Sequence, residues 1–372
     1  MKQLTCTIAF SSIVFIEPAP YDVLLTGSVV IAILGGYTAY TTIHFWPVMM
    51  MLLFLETNIV SLYFIKEVSS ASYFLIITVY CIVTWSGLIG VLAYFGSRIL
   101  PLLFRSYVVA GLLVTIPGVV AYFSHLPMLD MLLWNNERVK GLFMDPNVFG
   151  PFLIPGALYA LRNIGKTRQS KKLLYSWLGI FLLFSIGILL SFSRAAWGHF
   201  ILALGIYFLL NNERPIRRFK TLFILTVVLI PVLIYMVMAT DVGDLFFART
   251  SLQGYDETRF EQQGESLDYM MTYPLGFGPG QSEQFLSQST HSLFVRILSE
   301  NGLFGIVLFA GFFLITLSRS IYMGKVSSSN KGYFVIVTSC LIGIAFNSLF
   351  IDTLHWRHFW LLLALPWMKV ER

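Results

Sequence analysis

Three short stretches of this 372-residue chain carry side chains suited to chemistry on a phosphorylated substrate. They are FSRAAW around Arg194, DETRF around Arg259, and THSLFVRILSENGLFG from Thr290. Ser193 is the expected N-cap of the helix that Arg194 opens. Free amides at a helix start favour an anion, and a guanidinium adds a bidentate fork. The structural alternative is an arginine that snorkels to lipid headgroups. Arg259 sits among Asp256, Glu257 and Glu261, where a surface ion pair competes with anion binding. His291 is expected in the first turn of a helix capped by Thr290, with Leu293, Phe294, Ile297 and Leu298 as its apolar face and Gly302 as its stop. The dipole there keeps an imidazole neutral, which suits an acceptor or base near pH 7, against the plainer reading of a solvated interfacial histidine.

Further polar groups flank these three. Arg296 and Glu300 are four apart and can pair on one helical face. Asp145-Pro146-Asn147, with Arg138 and Lys140 upstream, can cap and start a helix or bind sugar hydroxyls. Gly276, Gly278 and Gly280 lack the strand context and lysine of a nucleotide fingerprint; they form a tight turn or an anion-binding nest. Glu56 falls inside an apolar run, where a carboxylate either serves function or faces a polar cavity.

The elements that must position these groups are membrane helices. The chain is 57% hydrophobic and 12% charged, with mean hydropathy +0.76. Its apolar residues fall into twelve runs, from Leu4–Ile16 to His358–Met368, several shorter than the roughly 20 residues a comfortable crossing needs. Backbone groups in lipid pair within their own segment, so the runs are expected to be helices. The fold class is all-α integral membrane, with about twelve transmembrane helices in a single polytopic domain over 1–372. One larger extracytoplasmic loop, 240–290, is expected to carry short helices around its apolar clusters at 245–247 and 269–271. If the chain alternates from a cytosolic N-terminus, 17 of the 25 Lys and Arg lie in inner loops, with only Glu213 and Glu371 for acids. That bias sets orientation, with both termini cytoplasmic and the three chemical stretches outside. The pI of 9.1 therefore reflects membrane insertion and gives no reason to expect a nucleic-acid partner. Cys6, Cys81 and Cys340 lie in apolar runs without metal-ligand spacing. The first run is expected to remain as an uncleaved helix, since Pro18-Ala19-Pro20 makes a poor signal-peptidase site.

Four blocks in order carry a resemblance: VKGLFMDPNVFG (139–150), SFSRAAW (191–197), TRFE with YPLGFGPG (258–280), and HSLFVRILSENGLFG (291–305). Over residues 139–317 the chain resembles the O-antigen ligase/polymerase family. The resemblance implies a polytopic, inverting, metal-independent glycosyltransferase of the bacterial inner membrane, with no cofactor. Its donor would be an undecaprenyl-diphosphate-linked oligosaccharide at the outer face. Its acceptor would be lipid A-core in a ligase, or another lipid-linked glycan in a polymerase of O-antigen or exopolysaccharide. Arg194 and Arg259 would hold the diphosphate and His291 would orient or deprotonate the acceptor hydroxyl. Asp145, Asn147, Arg296 and Glu300 would contact substrate. Ser292 stands where the family often has Asn, and Gln262, Gln263 and Gly264 occupy a stretch where a Trp is common. With the compact loop, these departures favour polymerase over ligase. A flippase for the same lipid-linked glycan is the alternative, though transporters place their ionisable groups nearer the midplane.

Overall fold

A computed structural model of the protein describes residues 1–124, 126–135, 137–166, 170–211, 231, 234–235, 238, 242–250, 263–266, 268–269, 271–286 and 290–369. Among these residues the chain is mostly helical. The helices are α1 (Lys2–Ala9), α2 (Pro20–Leu34), α3 (Phe45–Ser61), α4 (Val68–Phe95), α5 (Leu100–Ser124), α6 (Pro146–Lys166), α7 (Lys171–Leu190) and α8 (Arg194–Leu210). They continue with α9 (Val242–Thr250), α10 (Ser282–Phe285), α11 (Leu293–Val326), α12 (Lys331–Asn347) and α13 (Arg357–Ala364). A two-residue hairpin, β1 (Leu133–Trp134) with β2 (Arg138–Val139), pairs Leu133 with Val139 and Trp134 with Arg138.

Four described helical stretches are long and apolar enough to cross a membrane: Thr42–Phe64, Val68–Ser124, Lys171–Leu190 and Leu293–Val326. The second runs for 57 residues, broken at Gly96, whose φ of +62° no helix tolerates. Three shorter apolar helices, α2, α8 and α12, add to these. The first expected run gives only the eight-residue α1, and the last only the eight-residue α13 followed by a 3-10 turn. The expected run over 221–239 lies largely outside the described residues. Of the short helices expected in the loop, the one around 245–247 is present as α9, the described residues among 263–272 are helical around the cluster at 269–271, and α10 lies further on at Ser282–Phe285.

Two compact units make up the chain. The first comprises 1–28, 98–252 and 328–343. Its centre is α6, buried on nearly every side. Small residues let its neighbours approach. A Cβ at Gly111 of α5 or Gly156 of α6 would stand 2.6 Å from the Phe184 ring of α7, and one at Gly187 of α7 would stand 2.7 Å from Leu153 of α6. Glycines at such crossings trade side-chain burial for close backbone packing. The hairpin lies on α5, where Gly118 faces Val139.

The second unit comprises 29–97, 253–327 and 344–372. Helices α3 and α11 pack along their length, with Phe54 and Phe309 meeting 5.5 Å apart at ring centres. Trp85 of α4 sits edge-on to Phe312 of α11 at 5.0 Å and near Trp360 of α13 at 6.5 Å. In both units many outward side chains are large and apolar, among them Leu34 at 81% and Leu209 at 73% exposure. Water would not leave such surfaces bare, and lipid accounts for them.

Candidate functional site

In the first unit the turn between α7 and α8 is built from Ser191, Phe192 and Ser193. Phe192 has φ +46° and is fully buried, a left-handed conformation held by packing against Tyr122. Ser193 caps α8 as the sequence implies, its hydroxyl accepting from Ala196 N at 3.4 Å. Arg194 is therefore the first helical residue and is half-buried. Trp197, one turn on, donates to Ile188 O at 3.1 Å and stacks on Phe246 of α9 at 5.2 Å.

Arg138 of the hairpin joins this turn to the start of α6. Its Nε donates to Ser191 O at 2.9 Å and its Nη2 to Asn147 Oδ1 at 3.0 Å. Asp145 Oδ1 accepts from Asn147 N at 2.7 Å, and Pro146 occupies the first helical position. The starts of two helices, each with unsatisfied amides, are thus tied together by one buried guanidinium. Asp145 and Asn147 are engaged in this frame. The tie itself is invisible in sequence, because Arg138 and Ser191 are 53 residues apart.

In the second unit His291 precedes its helix instead of opening it. The expectation that Thr290 caps that helix is corrected: the N-cap is Ser292 and α11 begins at Leu293. Thr290 Oγ1 is buried and makes no hydrogen bond among the described residues. The start is set from afar, since Leu293 N and Ser292 Oγ both donate to Ser348 O, at 3.0 and 3.3 Å. His291, half-buried, takes φ +48°, a conformation uncommon outside glycine and one that tends to mark functional positions.

Gly302 breaks α11 as expected, with φ +70° and ψ −171°. The carbonyls freed before the break are taken by the glycine turn: Phe277 N donates to Ser299 O and Gly278 N to Glu300 O, both at 3.0 Å. The turn also binds an anion, and that anion is the protein's own. Glu300 accepts from Gly280 N at 2.8 Å and from Ser282 N at 3.3 Å. Tight-turn and nest readings are both realised. Arg296 pairs with Glu300 at 3.1 Å, lies 4.1 Å over the Phe74 ring, and pairs also with Asp352. Burial would raise the Asp352 pKa, but the charges of Arg296 and His355 and the Leu354 amide outweigh it and hold the carboxyl below its usual value. His355 accepts from or donates to Thr78 at 3.0 Å and is pushed down to about 3, chiefly by burial and then by Arg296 and Arg357, with Asp352 opposing. Asp352 and His355 are polar partners that sequence reading overlooked; the signal was an acid and an imidazole beside the last apolar run.

Glu56 is exposed on α3 and borders a cavity of about 360 Å³ with Thr57, Leu275 and Asn301. Arg194 belongs to the first unit and His291 to the second, while Arg259 lies outside the described residues. Among the described residues no group of three or more His, Cys, Asp or Glu could hold a metal ion.

No curated protein matches this chain. The stretch that a family model does match contains Arg194, Arg259, His291, Arg296 and Glu300, and leaves Asp145 and Asn147 outside it. That model is the one for O-antigen ligase, it spans residues 179–310, and over this stretch the chain is similar to that family.

Proposed function

We propose that this chain is a polytopic glycosyltransferase of the bacterial inner membrane, crossing it about twelve times with its site on the extracytoplasmic face. The carrying observation is that the family stretch, 179–310, encloses all three residues suited to the chemistry. The donor is an undecaprenyl-diphosphate-linked oligosaccharide. Arg194, placed at a capped helix start, binds the diphosphate with the first amides of α8, and Arg259 adds a second guanidinium. As the acceptor oxygen attacks the anomeric carbon from the opposite face, its proton passes to the His291 imidazole. The bond from carbon to phosphate oxygen breaks, and its electron pair leaves with undecaprenyl diphosphate. Two guanidiniums stabilise that charge without a metal, and the anomeric configuration inverts. Asp145 and Asn147, fixed by Arg138, border the sugar side, and the Arg296 and Glu300 pair supports the His291 segment.

Of the family's two activities, we favour polymerisation, because Ser292 and the 262–264 stretch depart from the family's pattern and, with the compact loop, weaken the ligase reading more than the family reading. The test uses purified protein in nanodiscs with an undecaprenyl-diphosphate oligosaccharide, with and without lipid A-core. A ladder of products without core is expected, and a single new core-linked band would make the chain a ligase. No transfer to either acceptor, with verified donor and folded protein, would overturn the reading and favour a flippase.

A further inference from the structure

At the end of α6 opposite Asp145, four donors gather in the first unit with no carboxylate among them. Arg162 is 7% exposed, yet its Nε has no hydrogen-bond partner among the described residues. Its guanidinium carbon stands 3.8 Å over the Tyr333 ring centre and its side chain donates a hydrogen bond to the Tyr333 hydroxyl; Tyr333 is stacked on Tyr159, which is stacked on Phe104. This aromatic column fixes the guanidinium against the first turn of α12. A Cβ at Gly332 would stand 2.6 Å from the Arg162 Nε, so glycine is what admits it there. The amides of Lys331 and Gly332 open a 17-residue helix and precede its first intrahelical bond. Lys166, one turn beyond Arg162, adds an ammonium, and Lys331 another. Burial and then the Arg162 charge hold Lys166 below its ordinary pKa, the mark of cations sharing a face with no anion between them. Neither 159–172 nor 328–343 contains an Asp or Glu.

A buried, oriented guanidinium beside a helix start, with lysines around it and no carboxylate, is half of a binding site. We propose that Arg162, Lys166, Lys331 and the first amides of α12 bind a phosphate group, separate from the transfer site and independent of it. The ligand supplies acceptor oxygens to the Arg162 Nε and to the free amides, and its charge relieves the repulsion between Arg162 and Lys166. An anionic phospholipid and a free phosphate share this chemistry. A lipid fits the better, because the column leads from the basic end into an apolar helix bundle.

The test is native mass spectrometry of the purified chain in detergent, titrated separately with phosphatidylglycerol, phosphatidylcholine and inorganic phosphate. One phosphatidylglycerol per chain is expected, held about tenfold more tightly than phosphatidylcholine. R162A should abolish the preference. G332A changes no charge and favours the helix, yet should also lose it by displacing the guanidinium. K172A removes a charge from an exposed position nearby and should leave it intact, and thermal unfolding checks that each variant is folded. Binding of inorganic phosphate at the same residues, without lipid, would keep the site and change its ligand. Equal retention of both lipids without phosphate binding, or equal loss in K172A and R162A, would overturn the proposal. The readout does not depend on glycosyl transfer.

Discussion

Two arginines of the first unit show how one residue type takes different work from its surroundings. Arg194 is half-buried at a helix start, whereas Arg138 is 9% exposed and spends its fork on Ser191 O and Asn147 Oδ1. R194A should therefore lower transfer by about 10²–10³-fold, the usual loss for one charge-stabilising donor, with the thermal midpoint nearly unchanged. R194K should recover little, since an ammonium has no planar fork. R138A should do the reverse and cost roughly 2–4 kcal/mol of stability, because it strands buried acceptors. Equal loss of stability in both variants would remove the distinction. His355 gives a pH signature of its own. Its pKa is pushed down to about 3, so between there and 6.5 the unfolded chain binds a proton that the folded chain does not. Stability must then fall as pH drops from 6.5, by up to about 1.4 kcal/mol per unit from this group. The depressed Asp352 acts in a lower window: its contribution is present above 3.8 and is lost as pH falls through its folded value. Thermal midpoints between pH 7.5 and 4.5 should decline, and H355Q should decline less steeply. An unchanged slope in H355Q would mean that His355 titrates normally.

At the scale of the element, glycine placement decides whether the His291 segment is held. Gly302 has φ +70°, and a Cβ there would stand 2.3 Å from Pro274 O; at Gly276, φ is +85° and the distance to Glu300 O is 2.2 Å. G302A should cost about 2–4 kcal/mol, since alanine cannot take that conformation cheaply and the opposing atoms are backbone. A melt within about 0.5 kcal/mol of wild type would mean that α11 runs straight through the break. Such features were legible because their signals are local. Ser193 sits three residues before the amide it caps, Gly302 ends an apolar periodicity, and Arg296 and Glu300 share a face at four-residue spacing. Thr290 was misread for the opposite reason. Two hydroxyl residues stand before Leu293, and the choice between them is made by Ser348 O, 56 residues from Ser292. Asp352 is equally distant from Arg296, and Arg138 is 53 residues from Ser191. Long-range polar closure leaves no periodic trace, whereas hydropathy and capping do. The count of crossings was less legible than the class, because runs such as those giving α1 and α13 are apolar yet fold as eight-residue helices.

For the whole molecule, the distribution of charge makes a claim that no single helix does. If the chain alternates through its twelve expected runs, 17 of the 25 cations fall on one side, and the loop over 240–290 falls on the other with most of the acids. Basic loops resist translocation, so the first side should be cytosolic and the acidic loop should face out. On the proposed function an anionic donor would then meet an acidic surface, and its capture would depend on a few placed guanidiniums and not on a general positive field. This is open to a direct test with introduced thiols. Cys81 and Cys340 are buried and Cys6 is exposed, so C6S provides a quiet background. Ser329, in the basic turn before α12, and Asp268, in the acidic loop, are both exposed. On intact cells with a permeable outer layer, D268C should react with a membrane-impermeant maleimide about tenfold faster than S329C, and the difference should vanish once the membrane is opened. The opposite ranking would invert the chain and carry the Arg194 and His291 ends to the cytosol. There a glycan already moved across the membrane could not reach them, so the transferase reading would fall with the orientation. Equal reaction before and after opening would instead mean that one of the two segments does not lie in an aqueous loop. Labelling thus decides the side on which all of the chemistry must take place, before any substrate is in hand.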